Sequence, residues 1–570
     1  MSQQTITADT AAEAYLTILA ARGVDYLFGN AGTDFASIIE ALSKAQLGEA
    51  KAPMPVTVPH ENVAVAMAHG YYLMTDRPQA VMLHVSVGTA NGICGVLNAS
   101  RDRVPLLFSA GRTPINEDGP LGSRSIYIHW AQEMFDQAGM VREAVKWDYE
   151  LRNTQQIETI VDRALTLAMT EPRGPVYLTL PREPLAETFD QYSYQSPSRR
   201  ATPTQAWPSP DAIEQIADIL AKAESPLIIT QDSGTDQNSV APLAALAERF
   251  AIPVVQRKPR YMCLPTDHPL HLGYDPDPFL DEADVIIVAD CDVPWIPSVK
   301  APKADCTVIH MGTDPIYASY PIRGYEADLA VTGALAPAFR LLDDALSTRE
   351  NGAASRIDSR RKKMADLRET LHARWQGTFQ ENRTSAPMHP SWVSHCVDQI
   401  KGDDSIVMTE SSFSMAQMNF RKPGTFFSGG AGGGLGYGLG MSLGAKLAAR
   451  DRLVICTQGD GAYMYGNPIS AHYVSRAEKL PTLTLIMNNE QWGAVKRNTR
   501  AMYPDGFAAK SNREPLTFFE GDMAFEKAVE IAGGYGERVV DPEELPKALD
   551  RAVDMVQGQG RAAVLNISTA

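Results

Sequence analysis

The chain has 570 residues, of which 44% are hydrophobic and 21% are charged, the composition of an ordinary globular protein. Its 52 Lys and Arg residues stand against 68 Asp and Glu residues, and the resulting net charge of −16 opposes binding to nucleic acid. The six cysteines form no C-x-x-C pair, no secretory signal is visible and no apolar run is long enough for a membrane span, so we expect a cytoplasmic protein without a membrane partner.

Short apolar runs rich in Val and Ile alternate with longer amphipathic segments along the chain. In the first third the pattern predicts helices at 8–23 and 61–75 and strands at 24–30, 79–86, 104–111 and 174–181. The strands predicted in the middle are 225–234, 252–257, 284–292 and 306–312. Those predicted in the last third are 405–412, 452–461, 482–490 and 562–568. Strands that alternate with helices indicate parallel, doubly wound sheets, which bind ligands beyond the carboxyl ends of their strands.

Two stretches have the composition of linkers, since they carry Pro, Ser, Gln and charge without an apolar period. They are residues 188–208 and residues 347–387, and the second contains a charged, helix-like patch. They divide the chain into domains at 1–187, 205–345 and 388–570. The sequence therefore predicts three doubly wound, parallel-sheet α/β domains in series.

The sharpest motif is Gly459-Asp460-Gly461, which directly follows a predicted strand, while the next strand ends in Asn488-Asn489. The carboxyl ends of neighbouring parallel strands share one sheet edge, so an Asp and an Asn there could supply oxygen ligands to a hard cation. Mg²⁺ takes few protein ligands and favours substrate phosphates, so we expect a metal-bridged phosphate. Alone, G-D-G is a common turn, and the second pair of polar residues favours a site.

A glycine-rich tract, SGGAGGGLGYGLGMSLGAKLA, covers residues 428–448. The alternative to a site is a flexible loop, but the tract runs directly into a helix-like segment. Glycines at a helix N-terminus let the backbone approach a ligand closely and favour a phosphate or cofactor site.

His60 and Glu61 open the predicted apolar helix at 61–75. An acid in the first turn of a helix is often only a partner of the helix dipole. A buried carboxyl group can also share a proton with a neutral ring nitrogen without leaving a charge stranded, which suits general acid–base chemistry.

Together these residues resemble the thiamin-diphosphate-dependent enzymes of the acetohydroxyacid synthase and benzoylformate decarboxylase group, a pyruvate-decarboxylase-like family. The matching motifs span the chain in order and are FGNAGTDF, PHENVAVAMAHGY, LHVSVGTANGICGVLNA, RGPVYLTLP, TESSFSMAQM, GGGLGYGLG and GDG through IMNNEQWGAV. The resemblance implies that 1–187 is a pyrimidine-binding domain, 205–345 a central domain and 388–570 a diphosphate-binding domain. The implied cofactors are thiamin diphosphate and Mg²⁺.

The resemblance also implies roles for single residues in cofactor binding. Glu61 would hydrogen-bond the aminopyrimidine ring and promote the imino tautomer that deprotonates the thiazolium carbon, and Leu435 would hold the cofactor in its bent shape. Asp460, Asn489 and the backbone carbonyl of Gln491 would bind Mg²⁺. The remaining expected cofactor contacts are Glu410, Ser412, Phe413, Gly434, Gly461, Ala462 and, from a partner chain, Asn91.

One departure from the family pattern affects the metal site. The spacing between Asp460 and Asn489 is slightly longer than is usual, and the additional residues look like Gly466 and Asn467. They fall before the next strand, so we expect a larger loop with the metal site kept. The choice between Asn488 and Asn489 as ligand stays open.

The proton-transfer and substrate residues are less sharply marked. His84 follows a predicted strand and is the best proton shuttle, although a capped structural histidine is the alternative. His129 is a further catalytic candidate. Other expected substrate contacts are Thr33, Gln132, Trp492 and Val495, and an apolar pocket would suit an aromatic, branched or alicyclic 2-oxo acid or ketone.

The implied activity is that of a carbon–carbon lyase or carboligase acting on a 2-oxo acid or a related ketone, by decarboxylation, carbon–carbon bond formation or both. The alternatives are an acetolactate-synthase-like carboligase and an acyloin- or diketone-cleaving enzyme with FAD. The arginine-containing motif of flavin-binding members is not seen, so FAD is the less favoured cofactor. A catalytically silent regulator is disfavoured because Glu61 and Asp460 are both present. The resemblance further implies a homodimer or homotetramer with the active site at the subunit interface.

Overall fold

The computed structural model describes residues 2–410, 413–511 and 513–570. Within these ranges the strands form three parallel sheets and one antiparallel pair. One sheet falls in each predicted part of the chain, and helices connect the parallel strands, as their crossover connections require. The prediction of three doubly wound α/β domains in series is confirmed.

The first domain carries a sheet in the order β3-β2-β4-β5-β7-β6. Its strands are β1 (Ser2–Ile6), β2 (Tyr26–Gly29), β3 (Met54–Thr57), β4 (Gln79–Leu83), β5 (Leu106–Arg112), β6 (Asp148–Glu150), β7 (Val176–Pro181) and β8 (Tyr192–Ser196). Its helices are α1 (Ala11–Ala21), α2 (Ala36–Gln46), α3 (Glu61–Thr75), α4 (Val85–Arg101), α5 (Ile128–Ala131), α6 (Ile157–Met169) and α7 (Arg182–Ala186). The first and last of these strands, β1 and β8, form the antiparallel pair, so the predicted linker at 188–208 contains a strand.

The central domain carries a sheet in the order β10-β9-β11-β12-β13. Its strands are β9 (Pro226–Thr230), β10 (Val254–Gln256), β11 (Val285–Ala289), β12 (Thr307–Gly312) and β13 (Leu329–Thr332). Its helices are α8 (Pro210–Lys222), α9 (Val240–Phe250), α10 (Asp277–Leu280) and α11 (Leu335–Ser347), followed by the long α12 (Glu350–Asn382).

Most of the predicted linker at 347–387 is the helix α12 rather than an irregular connection. Ala353, Ile357 and Met364 on this helix are buried in the core of the central domain. Arg360 donates to the carbonyl oxygens of Ala223 and Phe250, at the ends of α8 and α9, both at 2.8 Å. The helix is therefore held to the central domain by packing and by capping of helix ends.

The third domain carries a sheet in the order β15-β14-β16-β17-β19-β18. Its strands are β14 (Ile406–Glu410), β15 (Phe426–Ser428), β16 (Val454–Gly459), β17 (Leu483–Asn488), β18 (Tyr535–Val539) and β19 (Ala563–Ser568). Its helices are α13 (Pro390–Ile400), α14 (Tyr437–Ala448), α15 (Asp460–Tyr465), α16 (Pro468–Ala477), α17 (Gly493–Met502), α18 (Phe507–Ser511) and α19 (Leu545–Val553).

Helices α3 and α14 join the first domain to the third at close range. A Cβ atom on Gly70 would lie 2.0 Å from the carbonyl oxygen of Met441, and one on Gly440 would lie 2.5 Å from the Cβ of Ala66. The side chains around this contact belong to one hydrophobic core that includes residues of both domains. Glycine is therefore required where the two helix backbones meet.

Two further features of the fold are the state of the cysteines and the character of the helices. All six cysteines are free; five are buried and Cys94 is exposed. No helix in the described part of the chain combines the length and apolar character needed to cross a membrane.

Candidate active site

Asp460 and Asn489 follow neighbouring parallel strands, β16 and β17, at the carboxyl edge of the third sheet. Asp460 is 3% exposed; its Oδ1 accepts from the Gly461 N–H at 2.8 Å, while Oδ2 is buried without a hydrogen-bond partner among the described residues. Burial raises the pKa of Asp460, and backbone N–H groups of Gly461 and of residues 489–491 oppose that rise only in part. A buried carboxylate oxygen without a donor is a position that a cation would satisfy.

The choice between the two asparagines follows from their contacts. Asn488 is buried and its Nδ2 donates to Asn566 Oδ1 at 3.0 Å, a contact inside the sheet. Asn489 lies beyond the strand and is half-buried, and its Oδ1 accepts from the Gln491 N–H at 3.3 Å. These contacts favour Asn489 as the ligand.

Trp492 forms a wall beside the start of α15. Its backbone N–H donates to the Thr517 carbonyl oxygen at 2.7 Å, and its ring packs edge-on against that of Phe519, with 4.7 Å between the ring centroids. A Cβ atom on Gly461 would lie 2.0 Å from the Trp492 ring, so glycine is needed there. Ala462 is buried in the same short helix, and Val495 is 52% exposed on α17.

Gly466 and Asn467 separate α15 from α16, where we expected a larger loop. Gly466 ends α15, and Asn467 adopts a left-handed conformation, with φ of 50°, before Pro468 opens α16. The additional residues therefore form a tight junction between two helices and leave β17 and its carboxyl end in place.

The glycine-rich tract is held by side chains of both outer domains. Asn98 of α4 accepts from the Gly434 N–H at 3.0 Å and donates to its carbonyl oxygen at 2.7 Å. Glu410, at the end of β14, accepts from the N–H groups of Gly436 at 2.5 Å and Gly438 at 2.8 Å. Burial raises the pKa of Glu410 to about 7. Its oxygens thus accept from the backbone at the start of α14, next to Leu435, which is 40% exposed.

Glu61 opens α3 and is 8% exposed. Its Oε1 accepts from Asn30 Nδ2 at 2.9 Å and its Oε2 from Asn91 Nδ2 at 3.3 Å. Asn91, which the resemblance assigned to a partner's diphosphate, therefore contacts Glu61 of its own chain. The side-chain amides of Asn30 and Asn91 hydrogen-bond both oxygens of the Glu61 carboxyl group at the edge of the first sheet. There the carboxyl group can share a proton with a nitrogen of a bound ligand.

His84 precedes α4 and lies between two side chains. Its Nδ1 is 2.5 Å from Asp34 Oδ1, and its Nε2 is 3.2 Å from Gln132 Nε2. The hydrogen bond to Asp34 raises the pKa of His84. His129 differs: it is 2% exposed and contacts Arg182 at 3.4 Å, and burial followed by the charge of Arg182 lowers its pKa.

The remaining predicted site residues are less buried or lie outside the described residues. Thr33 is exposed at the start of a short 3-10 turn (Thr33–Phe35), and Phe413 is half-buried against the core of the third domain. Ser412, expected near the diphosphate, lies outside the described residues. Sequence reasoning missed Asn30, Asn98 and Asp34, because their partners are distant in the chain; the positions of Asn30 and Asp34 just beyond strand β2 were the available signal.

In the central sheet the order of the strands reverses between β9 and β11. Doubly wound sheets bind ligands at such a switch point. Arg260 occupies this position: its Nε donates to Asp232 Oδ1 at 2.7 Å and its Nη2 to Asp292 Oδ2 at 3.3 Å. Asp102 of the first domain lies 3.6 Å from Arg260 and also accepts from the Gly430 N–H at 2.8 Å. The ion-pair cluster at this position joins all three domains.

The donor set at Asp460 fits Mg²⁺ held mainly by oxygen atoms. No group of three or more His, Cys, Asp or Glu side chains suited to a metal occurs in the part of the chain that the structure describes. One carboxylate, one amide oxygen and one backbone carbonyl leave room for phosphate oxygens, which Mg²⁺ favours.

Comparison with protein-family models identifies the class to which this architecture belongs. The N-terminal TPP binding domain of thiamine pyrophosphate enzymes matches residues 9–140, the central domain matches 213–342 and the C-terminal TPP binding domain matches 408–567. The three matches occur in order and cover most of the chain. The chain belongs to the thiamine pyrophosphate enzyme family.

Curated relatives and solved structures are similar over most of their length. The chain is 24% identical to the acetolactate synthase large subunit of Buchnera aphidicola, over 98% of this chain and 94% of that protein. It is 25% identical to benzoylformate decarboxylase of Pseudomonas aeruginosa, over 77% and 79%. The crystal structure of benzoylformate decarboxylase from Polynucleobacter necessarius superposes with a TM-score of 0.78 at 19% identity, covering 99% of both chains, which supports the fold.

Proposed function

We propose that this protein is a thiamin-diphosphate- and Mg²⁺-dependent lyase that decarboxylates a 2-oxo acid and can transfer the resulting unit to a carbonyl acceptor. Two features together carry the proposal. Glu61 is hydrogen-bonded at the start of α3, and the buried Oδ2 of Asp460 has no hydrogen-bond partner among the residues that the structure describes. Similarity to relatives named benzoylformate decarboxylase and acetolactate synthase supports the choice of 2-oxo acids.

In the proposed reaction, residues of the two outer domains have different roles. Asp460, Asn489 and the carbonyl of Gln491 would hold Mg²⁺, while Leu435 would support the cofactor beside the Gly434 backbone. Thiamin diphosphate would supply, when bound, the nucleophilic carbon and the electron sink that decarboxylation requires. Side chains of this chain would carry out the remaining steps.

Glu61 would share its proton with the bound ring nitrogen, with Asn30 and Asn91 fixing both carboxyl oxygens. His84 would donate and accept protons at the substrate, and His129 would remain neutral because its pKa is lowered. Thr33, Gln132, Trp492 and Val495 are the proposed substrate contacts.

A carboligase of the acetolactate synthase type is the second candidate, favoured by relatives that cover nearly the whole chain. We propose an enzyme without FAD, because the arginine-containing motif of flavin-binding members is not seen in the sequence. Acyloin or diketone cleavage remains the alternative if no 2-oxo acid reacts.

We propose a homodimer or homotetramer whose subunits complete each other's active sites. Both halves of the candidate site carry exposed apolar side chains, which support a contact with a second copy. They are Val87 and Leu97 on α4, Leu435, Tyr465 on α15, and Ile469 and Tyr473 on α16. The free cysteines agree with a cytoplasmic location.

The test is turnover of pyruvate, a branched-chain 2-oxo acid, benzoylformate and phenylpyruvate after reconstitution with thiamin diphosphate and Mg²⁺. We expect CO₂ together with a free aldehyde, and the Glu61→Gln variant provides the matched background. CO₂ with an acyloin product would favour the carboligase. No CO₂ from any member of the panel would contradict the proposal and direct the search to 2-hydroxy ketones.

A further inference from the structure

Asp34 was not among the expected site residues, yet it makes the shortest contact of His84. It lies in the 3-10 turn after β2 and is 2% exposed. Its Oδ1 is 2.5 Å from Nδ1 of His84, and its Oδ2 accepts from the backbone N–H of Val85 at 3.3 Å. One buried carboxylate therefore holds both the imidazole and the peptide that follows it.

The backbone at this point is unfavourable for the residue that occupies it. Val85 has φ of 37°, in the left-handed region that β-branched residues avoid. Such a conformation persists only where surrounding contacts enforce it, and it is commonly found at functional sites. The N–H of Val85 reaches Asp34 in this conformation, so the strain and the carboxylate contact belong together.

Two glycines leave the space that the pair fills. A Cβ atom on Gly32 would lie 2.0 Å from Nδ1 of His84, and one on Gly111 at the end of β5 would lie 1.8 Å from Oδ2 of Asp34. The His84 imidazole thus packs on the backbone of Gly32, and the Asp34 carboxylate packs on the backbone of Gly111. Any larger residue at either position would displace a member of the pair.

The opposite nitrogen of His84 faces Gln132. Gln132 Nε2 is 3.2 Å from His84 Nε2, while Gln132 Oε1 is buried without a partner within the described ranges. The two ends of an amide are distinguished only by their hydrogen bonds. Rotating the side-chain amide of Gln132 by 180° would let its Oε1 accept from the Nε2–H of His84. That arrangement matches an imidazole ring that donates a hydrogen bond from both nitrogens.

From this geometry we propose that Asp34 is a positioning residue that orients His84 through Nδ1 and leaves Nε2 as the working atom of the ring. The part that Asp34 plays in catalysis rests on the function proposed above, whereas the orientation of the ring does not.

The charges around His84 come from three elements. Asp34 faces Nδ1, Glu61 contributes a smaller negative charge from α3, and His129 lies on the side of α5. Asp34 is the largest cause of the raised pKa of His84, and Glu61 acts in the same direction. The cation is therefore favoured at His84, while His129 stays neutral, so His84 is the proton donor of the two.

The first test needs no variant. In protein labelled with ¹⁵N-histidine and free of cofactor, neutral His84 should keep its proton on Nδ1, the tautomer that free histidine disfavours. The signal is assigned by its loss in His84→Gln. A neutral His84 protonated on Nε2 would overturn the orientation, whatever the enzyme does.

The second test compares Asp34→Asn with Asp118→Asn, which changes an exposed aspartate of the same domain. We expect the pKa of His84 to fall in Asp34→Asn and to stay unchanged in Asp118→Asn. An unchanged pKa in Asp34→Asn would overturn the proposal.

The third test uses the 2-oxo acid that the substrate panel identifies. For Asp34→Asn, kcat should fall about 10- to 100-fold, a part of the roughly 10²- to 10⁴-fold that positioned proton transfer contributes. The alkaline limb of its pH profile should move down with the pKa of His84, while cofactor affinity stays unchanged, and Asp34→Glu should recover part of the rate. A shifted pKa with an unchanged kcat and pH profile would overturn the role in catalysis. If the wild-type protein turns over none of the acids, the proposed function fails, and the tautomer and pKa still decide the orientation.

Discussion

Gly444 of α14 lies so close to α3 that a Cβ atom on it would stand 2.0 Å from the carbonyl oxygen of Met67. Because that oxygen belongs to a helix backbone, it cannot move aside as a flexible side chain would. This contact fixes how closely the first and third domains approach each other, and therefore the relative placement of their cofactor-binding edges.

We expect Gly444→Ala to destabilise the protein by about 1–3 kcal/mol, the usual cost of overpacking. Gly377→Ala is the matched control: it places the same methyl group on α12, where no atom of the described residues lies within 4 Å, and should stabilise by up to about 1 kcal/mol. Urea unfolding monitored by circular dichroism measures both. Equal midpoints for the two variants would contradict the close packing of α3 and α14.

Asp460→Asn separates the stability of the apoprotein from metal-dependent cofactor binding. Burial raises the pKa of Asp460, so its charge opposes folding near neutral pH, and a neutral asparagine should not lower the stability of the apoprotein. Wild-type protein should gain about 2.7 kcal/mol at a ligand concentration 100 times Kd, and the variant should lose that gain. Thermal melts with and without thiamin diphosphate and Mg²⁺ test this, with exposed Asp451→Asn as the control. An undiminished gain would place the metal elsewhere.

The sequence predicted the central strands well because they are buried on both faces. Val285–Ala289 is buried at every position, and such runs stand out as continuous apolar segments. Seven strands within the described residues were missed. Among them, Met54–Thr57 and Phe426–Ser428 are short and lie at sheet edges, where burial is incomplete or the run is too brief to show a pattern.

The long helix α12 was read mainly as a linker for a different reason. Its surface is polar, and much of its attachment comes from Arg360, whose guanidinium caps carbonyl oxygens of two other helices. Such capping has no local sequence signature. In the same way, the strand-end residues Asp460 and Asn489 were predictable from local motifs, whereas the contact between Asp34 and His84 joins residues 50 positions apart and depends on tertiary packing.

Glu410→Gln tests the carboxyl group that holds the backbone at the start of α14. The pKa of Glu410 rises from 4.5 in an unfolded chain to about 7 in the folded protein. A raised pKa means that its contribution to stability is complete below about pH 4.5 and is lost as the pH rises through about 7. That change is on the order of 1–3 kcal/mol.

We therefore expect the variant to unfold at lower urea concentration at pH 5, since its amide N–H₂ group faces backbone donors. We also expect a smaller difference between pH 5 and pH 8 than in wild type. Glu49→Gln, an exposed position, should retain the wild-type pH dependence. A Glu410→Gln variant with that same dependence would show that the pKa of Glu410 is not raised.

Glu61→Gln removes a shared proton and keeps the shape of the side chain. The amide can still bond to one of Asn30 and Asn91, so the variant should fold and bind thiamin diphosphate with Mg²⁺. Turnover should fall by roughly 10²- to 10⁴-fold, the range for a lost acid–base group. Cofactor affinity by fluorescence titration and turnover of the preferred 2-oxo acid give the two readouts. Full activity would remove Glu61 from the mechanism.

Mixing the Glu61→Gln and Asp460→Asn proteins tests whether an active site combines two chains. If Glu61 of one chain serves the metal site of its partner, random subunit exchange makes half of the dimers mixed, and each mixed dimer carries one intact site of two. Activity should then return to about a quarter of the wild-type value, as symmetry dictates for random pairing. If both residues serve the same site within one chain, every site carries a lesion and no activity returns. Mixing each variant with itself under the same exchange conditions gives the baseline, and native mass spectrometry confirms that heterodimers have formed.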